Sequence, residues 1–590
     1  MDLLNLSHPI KTPNQGNGLA ASRNLQPGSP IINLKNPFLI LAENAALSQI
    51  CSQCLYAKAP LKRCTGCKVV NYCSTTCQTA AWKSGHKAEC SIYKKLPAIP
   101  PTPVRGLMNL LLRKEIGGAS DERWVSLEGH VEDLKRGKRW DEIILQAKAA
   151  VEFTKSPASC MDPAINILCR VSPFHSPLHL NLIDKPELKM ATNAFRATLS
   201  DQTPIGLCFE PVISLANHSC TPNATIMFDG RTISLRALDA IEEGEQIFIS
   251  YVDPTQSREG RRQELKDRYF FECGCGKCVG DEGAYETFFG AKESREPKMH
   301  CFLDPKGLRE FATSAIKSGT VQKRELEAQV LNVTEVITRS GTTTSPEQRL
   351  ATIKSAFPLL KSKYYALPPY PTLLHELYLA HLDASHYTEA VILLLFMYVY
   401  LPFRGHQGQL STPIANYAKI DRFLNSDVYN YPQAHHPVRV IRLFTIARLL
   451  KAIASETNPS SVRSSFPPFR PSPSYLPPRQ PRPLLTQPQA FQNIDLVSSI
   501  QCLLILVKSL ATKSHGTETA FYKEVADELL EVEEIQQSRG DVGTKLRFWG
   551  EDGDIEGEMY ASKCFEGLRT LGTIGAGLIH SKTGMGMINS

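Results

Sequence analysis

Eight candidate metal ligands are concentrated between Cys51 and Cys90. The stretch CSQCLYAKAPLKRCTGCKVVNYCSTTCQTAAWKSGHKAEC contains two C-x2-C pairs, one C-x3-C pair and one H-x3-C pair. Tetrahedral zinc takes four nitrogen or sulfur ligands, and close pairs on tight turns or one helical turn supply them at low entropic cost. The segment therefore predicts two structural zinc sites with no open coordination position. The candidates are Cys51, Cys54, Cys64, Cys67, Cys73, Cys77, His86 and Cys90.

A second group of cysteines lies in FFECGCGKC, at Cys273, Cys275 and Cys278. Three thiolates leave a tetrahedral zinc one ligand short. We expect Cys220, in NHSCTPN at 217–223, to complete the site and to join two distant parts of the chain. The remaining six cysteines have no metal spacing and are predicted to be small buried hydrophobes. These are Cys160, Cys169, Cys208, Cys301, Cys502 and Cys564.

The composition is that of a folded protein with room for several domains. The chain has 590 residues, 42% of them hydrophobic, which is enough for a sizeable core. Its first residues lack a basic stretch followed by a long apolar run, so we expect no secretory signal or mitochondrial presequence. The longest apolar run, at 390–403, predicts a buried helix because it is short for a membrane span. We therefore expect a protein of the nucleus or cytoplasm, where disulfides rarely persist.

Positive charge is concentrated in the cysteine-rich segment. Residues 51–95 hold eight Lys or Arg against the single acid Glu89, and this balance of 8 − 1 = +7 equals the net charge of the whole chain. A basic surface can contact phosphates or acidic proteins. Lysines also offset the negative charge of zinc-bound thiolates. Contact with nucleic acid therefore stays an open alternative, and no membrane contact is expected.

The spacing of the first eight ligands resembles that of a MYND-type zinc finger, in which alternating ligand pairs share metals. The resemblance implies that Cys51, Cys54, Cys73 and Cys77 bind one zinc. It implies that Cys64, Cys67, His86 and Cys90 bind the other. Spacing alone does not establish this pairing.

The residues around NHSC have the pattern of an antiparallel sheet. Strand-like runs occur at 224–228 and 232–237, followed by the turn EEGE and the run IFISY. This part resembles the C-terminal half of a SET domain, whose signature joins NHSC to GE-x5-Y, here Gly244, Glu245 and Tyr251. Residues 16–41 resemble the family's opening hairpin, in which Gly16 and Gly18 let the backbone approach a cofactor.

The order of these motifs is similar to that of the SET and MYND (SMYD-type) protein-lysine methyltransferases, in which the finger interrupts the SET domain. The resemblance covers residues 10–280. It implies an enzyme that transfers a methyl group from S-adenosylmethionine to a lysine of a histone or another protein, with three structural zinc ions.

The resemblance also implies roles for individual residues. Asn17, Asn193, Asn217 and His218 match the contacts to S-adenosylmethionine, and Phe271 matches the aromatic side chain that stacks on its adenine. Tyr251 matches the active-site hydroxyl, with Tyr269 and Phe195 as other walls of the lysine channel. The alternative for Tyr251 is a tyrosine that caps the sheet, and the alternative for Tyr269 and Phe195 is ordinary core.

One position departs from the family pattern. The family often has NSFTI where this chain has Asn193, Ala194, Phe195, Arg196 and Ala197. An arginine therefore replaces a small hydroxyl residue beside the expected pocket. Substrate preference could differ there, whereas the cofactor residues are all present.

The predicted fold is α+β, with a β-rich SET domain split by the finger and a helical insert, followed by a post-SET zinc motif and a helical domain similar to tetratricopeptide repeats. The N-terminal boundaries are 10–48 for the first SET part, 51–90 for the finger, 97–190 for the insert, 191–255 for the SET core and 256–280 for the post-SET motif. The C-terminal boundaries are 295–454 for the helical domain, 455–490 for a disordered Pro/Ser-rich linker, 491–538 for further helices and 540–590 for a partly disordered tail.

Two other functions compete with the enzyme. The first is a MYND adaptor that binds proline-rich partners and retains SET as a scaffold. The second is a chromatin structural protein that acts through the basic finger. The joint presence of Asn17, Asn193, Asn217, His218 and Tyr251 favours the enzyme, because an adaptor does not need them together.

Overall fold

The computed structural model describes two compact units of the chain. The first comprises residues 1–177, 186–254 and 259–280, and the second comprises 178–185, 255–258 and 281–590. The described residues are 3–12, 16–58, 60–115, 127–136, 139–171, 193–254, 256, 258–279, 335–336, 339–340, 345–355, 370–398, 431, 433–457, 491, 494–552 and 555–580.

The first unit contains two groups of strands, each followed by α-helices. In chain order its strands are β1 Leu3–Asn5, β2 Ser7–Thr12, β3 Gly16–Ala21, β4 Pro30–Leu34, β5 Leu39–Ala42, β6 Lys62–Arg63, β7 Asn71–Tyr72, β8 Ala194–Thr198, β9 Pro204–Phe209, β10 Asn217–His218, β11 Ala224–Asp229, β12 Thr232–Ala237 and β13 Phe248–Ile249. Its α-helices are α1 Thr75–Ala81, α2 Lys87–Tyr93, α3 Thr102–Leu112, α4 Val131–Lys135, α5 Arg139–Thr154, α6 Met161–Val171, α7 Arg258–Tyr269 and α8 Gly276–Val279.

The largest sheet has the strand order β1-β4-β12-β11 and joins residues from both ends of the SET region. The alternation in TISLRA points Ile233, Leu235 and Ala237 into the core, while the residues between them are partly exposed. β11 and β12 pair antiparallel from Ala224–Ala237 to Asp229–Thr232. The predicted pair of strands is therefore confirmed.

The opening segment folds differently from the prediction. β3 pairs antiparallel with β2, which precedes it, and β4 pairs with β1 and β12 in another sheet. Residues 16–41 are thus not one hairpin. The sequence pattern showed two strands and a turn, but strand partners are set by which edges can bury apolar residues together.

Three smaller sheets remain in the described part of this unit, one of them the β6–β7 pair of the finger. β5, β9 and β8 form an antiparallel sheet in the order β5-β9-β8, and the short strands β10 and β13 pair in parallel. Gly206 on β9 lies so close to β5 that a Cβ atom there would come 2.1 Å from the Leu41 carbonyl oxygen. The β10–β13 pairing brings the two SET-like motifs side by side, since Asn217 lies opposite Phe248 and His218 opposite Ile249.

The second unit is helical in its described parts. Its helices are α9 Pro346–Lys354, α10 Tyr370–Asp383, α11 Tyr387–Tyr398, α12 Pro437–Thr457, α13 Leu496–Ser514, α14 Ala520–Gln537, α15 Val542–Asp552 and α16 Ile555–His580. Residues 390–398 of the apolar run predicted as a buried helix lie in α11, with Val391, Leu395 and Phe396 fully enclosed. Residues 399–403 lie outside the described residues. Among the described residues, α13 alone is long and apolar enough to span a membrane, and 67% of that window is buried inside the protein.

Three predictions about the C-terminal half need correction or fall outside the described residues. The tail from 540 is helical over α15 and α16, including part of the Gly-rich segment, because Phe565, Leu568 and Leu571 bury a helical face despite the weak helix propensity of glycine. The linker predicted from 455 starts too early, because α12 extends to Thr457. Residues 458–490 lie outside the described residues.

Most of the cysteines predicted as buried hydrophobes are buried, namely Cys169, Cys208, Cys502 and Cys564. Cys160 is only half-buried, at the start of α6, so that prediction is wrong for this residue. Cys301 lies outside the described residues.

Candidate functional site

The twelve predicted metal-binding side chains gather into three groups of four. Within each group the potential ligand atoms all lie within 4.8 Å of one another. A tetrahedral zinc with Zn–S bonds of about 2.3 Å places its sulfur ligands about 3.8 Å apart. Five pairs of sulfur atoms lie close to this spacing, at 3.5 to 4.0 Å. All three groups are therefore able to bind zinc, and four N or S ligands fill a structural site.

The first group, Cys51, Cys54, Cys73 and Cys77, sits where the finger meets the main sheet. Ser74 caps α1 by accepting a hydrogen bond from the Cys77 N–H at 3.1 Å, which orients that ligand. Tyr56 donates its hydroxyl hydrogen to Asp229 Oδ1 at 2.9 Å. The next residue, Gly230, has φ +57°, and a Cβ there would lie 2.5 Å from the Cys54 carbonyl oxygen. The finger thus packs tightly on the β11–β12 turn.

The second group, Cys64, Cys67, His86 and Cys90, has an acidic neighbour outside its four ligands. His86 Nε2 lies 3.7 Å from Cys67 Sγ, on the metal side, and His86 Nδ1 lies 3.5 Å from Glu89 Oε2. Asn109 on α3 donates to Glu89 Oε1 at 2.8 Å. A carboxylate behind a histidine ligand orients the ring and raises its basicity. Glu89 therefore connects this finger site to the helical insert.

The third group consists of Cys220, Cys273, Cys275 and Cys278. Cys220 Sγ lies 3.5 Å from Cys278 Sγ and 4.0 Å from Cys273 Sγ. The buried Arg261 on α7 points Nη2 at Cys278 Sγ at 3.8 Å, so a positive charge lies beside the sulfur atoms. The group anchors the NHSC segment to the segment after α7, as predicted from the missing fourth ligand.

An aromatic cluster lies against this third group, on the side of Tyr251. The Tyr251 ring centroid is 4.8 Å from that of Tyr269, 5.3 Å from that of His218 and 6.4 Å from that of Phe271. Tyr251 donates its hydroxyl hydrogen to the Ala216 carbonyl oxygen at 2.7 Å. Burial raises the pKa of the Tyr251 hydroxyl and raises the pKa of Tyr269 to about 12, so both phenols keep their protons at neutral pH.

Two amide side chains converge beside the glycine-containing strand β3. Asn217 Nδ2 donates to the Asn17 carbonyl oxygen at 3.1 Å, which links two predicted cofactor contacts 200 residues apart. A Cβ on Gly18 would lie 3.0 Å from Asn217 Nδ2 and 2.9 Å from Gln246 Nε2. Gln246 Nε2 is buried and has no hydrogen-bond partner. A buried donor without an acceptor costs about 1–3 kcal/mol, so a ligand that accepts from it would stabilise this site.

His218 is buried, and its ring contacts protein groups on both sides. Its Nδ1 accepts a hydrogen bond from the Tyr251 N–H at 3.0 Å, and its Nε2 lies 3.3 Å from Cys220 Sγ. Burial lowers the pKa of His218 to about 4, so the ring is neutral. The predicted contact with a cofactor would therefore have to come from its backbone.

The other predicted site residues, Asn193 and Phe195, lie just before and within β8. Asn193 Nδ2 donates to the Glu128 carbonyl oxygen at 2.8 Å, and the Asn193 carbonyl accepts from the Ser214 hydroxyl at 2.7 Å. Phe195 lies on β8 opposite Cys208, buried in the main core of the first unit. Arg196, its neighbour, is half-buried.

Three residues at these sites were missed from the sequence: Glu89, Glu128 and Gln246. Glu89 follows His86 by one helical turn, a spacing that could have indicated a carboxylate behind a histidine ligand. Glu128 and Gln246 gave no signal, because a backbone carbonyl and an amide acquire their roles only from the folded arrangement.

Comparisons with known proteins agree with this arrangement. The family model described as "SET domain" matches residues 16–252. The chain is 32% identical over 309 residues to "Histone-lysine N-methyltransferase SMYD3" of Homo sapiens, covering 49% of this chain and 68% of that protein. It is 31% identical over 278 residues to "SET domain and MYND-type zinc finger protein 6" of Schizosaccharomyces pombe, covering 47% and 52%.

A third relative has a name that specifies lysine without specifying a histone. The chain is 28% identical over 276 residues to "N-lysine methyltransferase SMYD2-B" of Xenopus laevis, covering 45% of this chain and 59% of that protein. With the match to the SET model, the three zinc-binding groups and the 68% coverage of a relative above 30% identity, the chain belongs to the SET and MYND domain family of lysine methyltransferases.

Proposed function

We propose that this chain is an active protein-lysine N-methyltransferase that uses S-adenosylmethionine. The observation that carries the proposal is the clustering of Tyr251, Tyr269 and Phe271 next to the NHSC segment, whose Asn217 amide donates to the Asn17 backbone carbonyl. One half of this arrangement suits a cofactor with amino-acid and adenosine groups. The other half suits an amine that must enter an apolar channel.

The residues present fit S-adenosylmethionine. Gly18 lets the Asn217 and Gln246 side-chain amides lie close to β3, and the Asn217 amide donates to the Asn17 backbone carbonyl. The buried Gln246 Nε2 lacks an acceptor that the cofactor could supply. Phe271 offers a flat apolar face for adenine. When bound, S-adenosylmethionine supplies a methyl group on a sulfonium, which the substrate amine accepts as the S–C bond breaks and the N–C bond forms.

The aromatic side chains act on the lysine. A lysine ε-ammonium must lose its proton before it can attack, and burial in an apolar channel favours the neutral amine. We assign Tyr251, Tyr269 and Phe195 to the walls of such a channel. The Tyr251 carbonyl accepts from the Tyr269 hydroxyl at 3.2 Å, which holds the Tyr269 side chain against Tyr251. Alignment and desolvation are then the main contributions of the protein.

The domain boundaries predicted above form part of this proposal. The finger at 51–90 and the post-SET motif at 256–280 stabilise the SET parts through zinc, and the insert at 97–190 helps to shape the peptide groove. The substrate class, a lysine of a histone or of another protein, matches the two kinds of name among the relatives. We place the activity in the nucleus or the cytoplasm.

The test is methyl transfer from radiolabelled S-adenosylmethionine to histones and to whole-cell protein. Tyr251→Phe should lower the rate about 100-fold, the loss expected from misplacing reacting groups by about 1 Å. Tyr560→Phe, the same change on α16, is the matched control and should leave the rate unchanged. If the folded, zinc-loaded protein neither binds S-adenosylmethionine nor labels whole-cell protein, the enzyme is excluded and the proline-rich-peptide adaptor becomes the better hypothesis.

A further inference from the structure

His218 forms a continuous link between the third metal-binding group and Tyr251. Its ring is buried and has one nitrogen on each side of the link. Nε2 lies 3.3 Å from Cys220 Sγ, and Nδ1 lies 3.0 Å from the backbone nitrogen of Tyr251. Both nitrogens of a buried imidazole are therefore satisfied within the protein.

The backbone N–H of Tyr251 decides which atoms donate and which accept in the two hydrogen bonds. A backbone N–H only donates, so Nδ1 of His218 accepts and carries no proton. The single ring proton is then on Nε2, which donates to Cys220 Sγ. This tautomer requires an acceptor sulfur at Cys220, and a zinc-bound thiolate is such an acceptor, since it carries no proton of its own.

Tyr251 is held at three polar points in addition to its ring contacts. Its N–H donates to His218, its hydroxyl donates to the Ala216 carbonyl at 2.7 Å, and its carbonyl accepts from the Tyr269 hydroxyl at 3.2 Å. The His218 ring also packs at 5.3 Å from Tyr251 and at 5.9 Å from Phe271, centroid to centroid. His218 is the member of this set that reaches a metal-binding group.

We propose that the third zinc site positions Tyr251 through the Cys220–His218–Tyr251 hydrogen bonds, and that His218 acts as a positioning residue instead of a side-chain contact to the cofactor. The proposal rests on the proposed role of Tyr251 in methyl transfer. The N–H···S bond to a thiolate is charge-assisted and thus stronger than one to a neutral thiol. Zinc at this site does more than hold two chain segments together, because it fixes the acceptor that orients the ring.

Three variants separate the two halves of the link. His218→Phe keeps a planar ring and removes both hydrogen bonds. His218→Asn keeps an acceptor near the Nδ1 position, and His218→Gln keeps a donor near the Nε2 position. We expect His218→Phe to lower kcat by about 10- to 100-fold, the range for removing a partner behind a metal ligand. We expect His218→Asn to recover part of kcat and the Kd for S-adenosylmethionine to stay within about threefold.

Zinc content, together with a control variant in the second unit, distinguishes a specific effect on kcat from loss of folding. Each variant should retain zinc at all three sites, as measured by mass spectrometry of the metal. His375→Asn on α10 makes the same chemical change at an exposed position and should behave as wild type. A His218→Phe variant with unchanged kcat and a Kd for S-adenosylmethionine raised tenfold or more would overturn the proposal, since that split is the signature of a cofactor contact.

A measurement on the unmodified sequence tests the link without activity. Long-range ¹H–¹⁵N NMR of the ¹⁵N-histidine-labelled, zinc-loaded protein should show the His218 ring as the Nε2–H tautomer, with His218→Asn used to assign the signal. Stripping the third zinc should change that signal more than it changes the signals of histidines elsewhere. An Nδ1–H tautomer would overturn the proposal even if methyl transfer is confirmed. If the wild-type protein does not bind S-adenosylmethionine, the proposed function is overturned, whereas the tautomer result is unaffected.

Discussion

The finger sites and the third zinc site have similar ligands but different neighbours. The finger ligands all come from residues 51–90. The residues beside them contact structural elements: Tyr56 bonds to the β11–β12 turn, and Glu89 bonds to α3. The third site joins Cys220 to Cys278, 58 residues away, and its sulfur contacts His218 in the aromatic cluster. Under the proposed function, zinc would stabilise a module in the finger and the geometry of the reaction site at the third group.

Removing one ligand from the third site and, separately, one from a finger site should give the largest difference in methyl-transfer rate. Cys278→Ser and Cys77→Ser should each reduce bound zinc from three ions to two, measured by mass spectrometry. Methyl transfer should fall about 100-fold or more in Cys278→Ser and about tenfold or less in Cys77→Ser, because only the former loosens the residues around Tyr251. Equal losses in both variants would show that the two kinds of site do not differ in function.

Glu89 allows a test of how strongly the carboxylate behind His86 affects zinc binding in the finger. Glu89→Gln keeps the shape of the side chain and removes the charge behind His86, so zinc should bind the second group about tenfold more weakly. Competition with a chromophoric chelator measures that affinity. Glu132→Gln on α4, an exposed position, is the control. An unchanged affinity would mean that Glu89 serves only to hold Asn109.

The contact between Tyr56 and Asp229 should give the smallest effect. Tyr56→Phe removes one partly buried hydrogen bond and should lower the free energy of unfolding of the first unit by about 1 kcal/mol. Urea unfolding, together with Asp229→Asn and the double variant, isolates the pairwise energy. Zinc content and kcat should not change, because this contact joins the finger to the β11–β12 turn and does not involve the residues around Tyr251.

The local parts of the site could be predicted from the sequence, whereas orientations could not. Ligand spacing predicted twelve ligands because zinc coordination requires a fixed number of close donors, and the alternation of TISLRA predicted β12. The direction of the His218 ring depends on what surrounds it, namely a thiol two residues later and an N–H 33 residues later. The pairing of β3 with β2 and the helix over the glycines of α16 likewise depend on tertiary packing, which outweighs local propensity.

The pairing of β4 with β12 has a consequence for biosynthesis. Asn33 faces Ser234, 201 residues later in the chain. At a synthesis rate of about 5–20 residues per second, one edge of β4 waits about 10–40 seconds for its partner. All eight finger ligands lie in residues 51–90, so they are available to bind zinc during that interval. Zinc supply during translation therefore decides whether the exposed strand waits beside a folded finger or beside an unfolded, cysteine-rich segment.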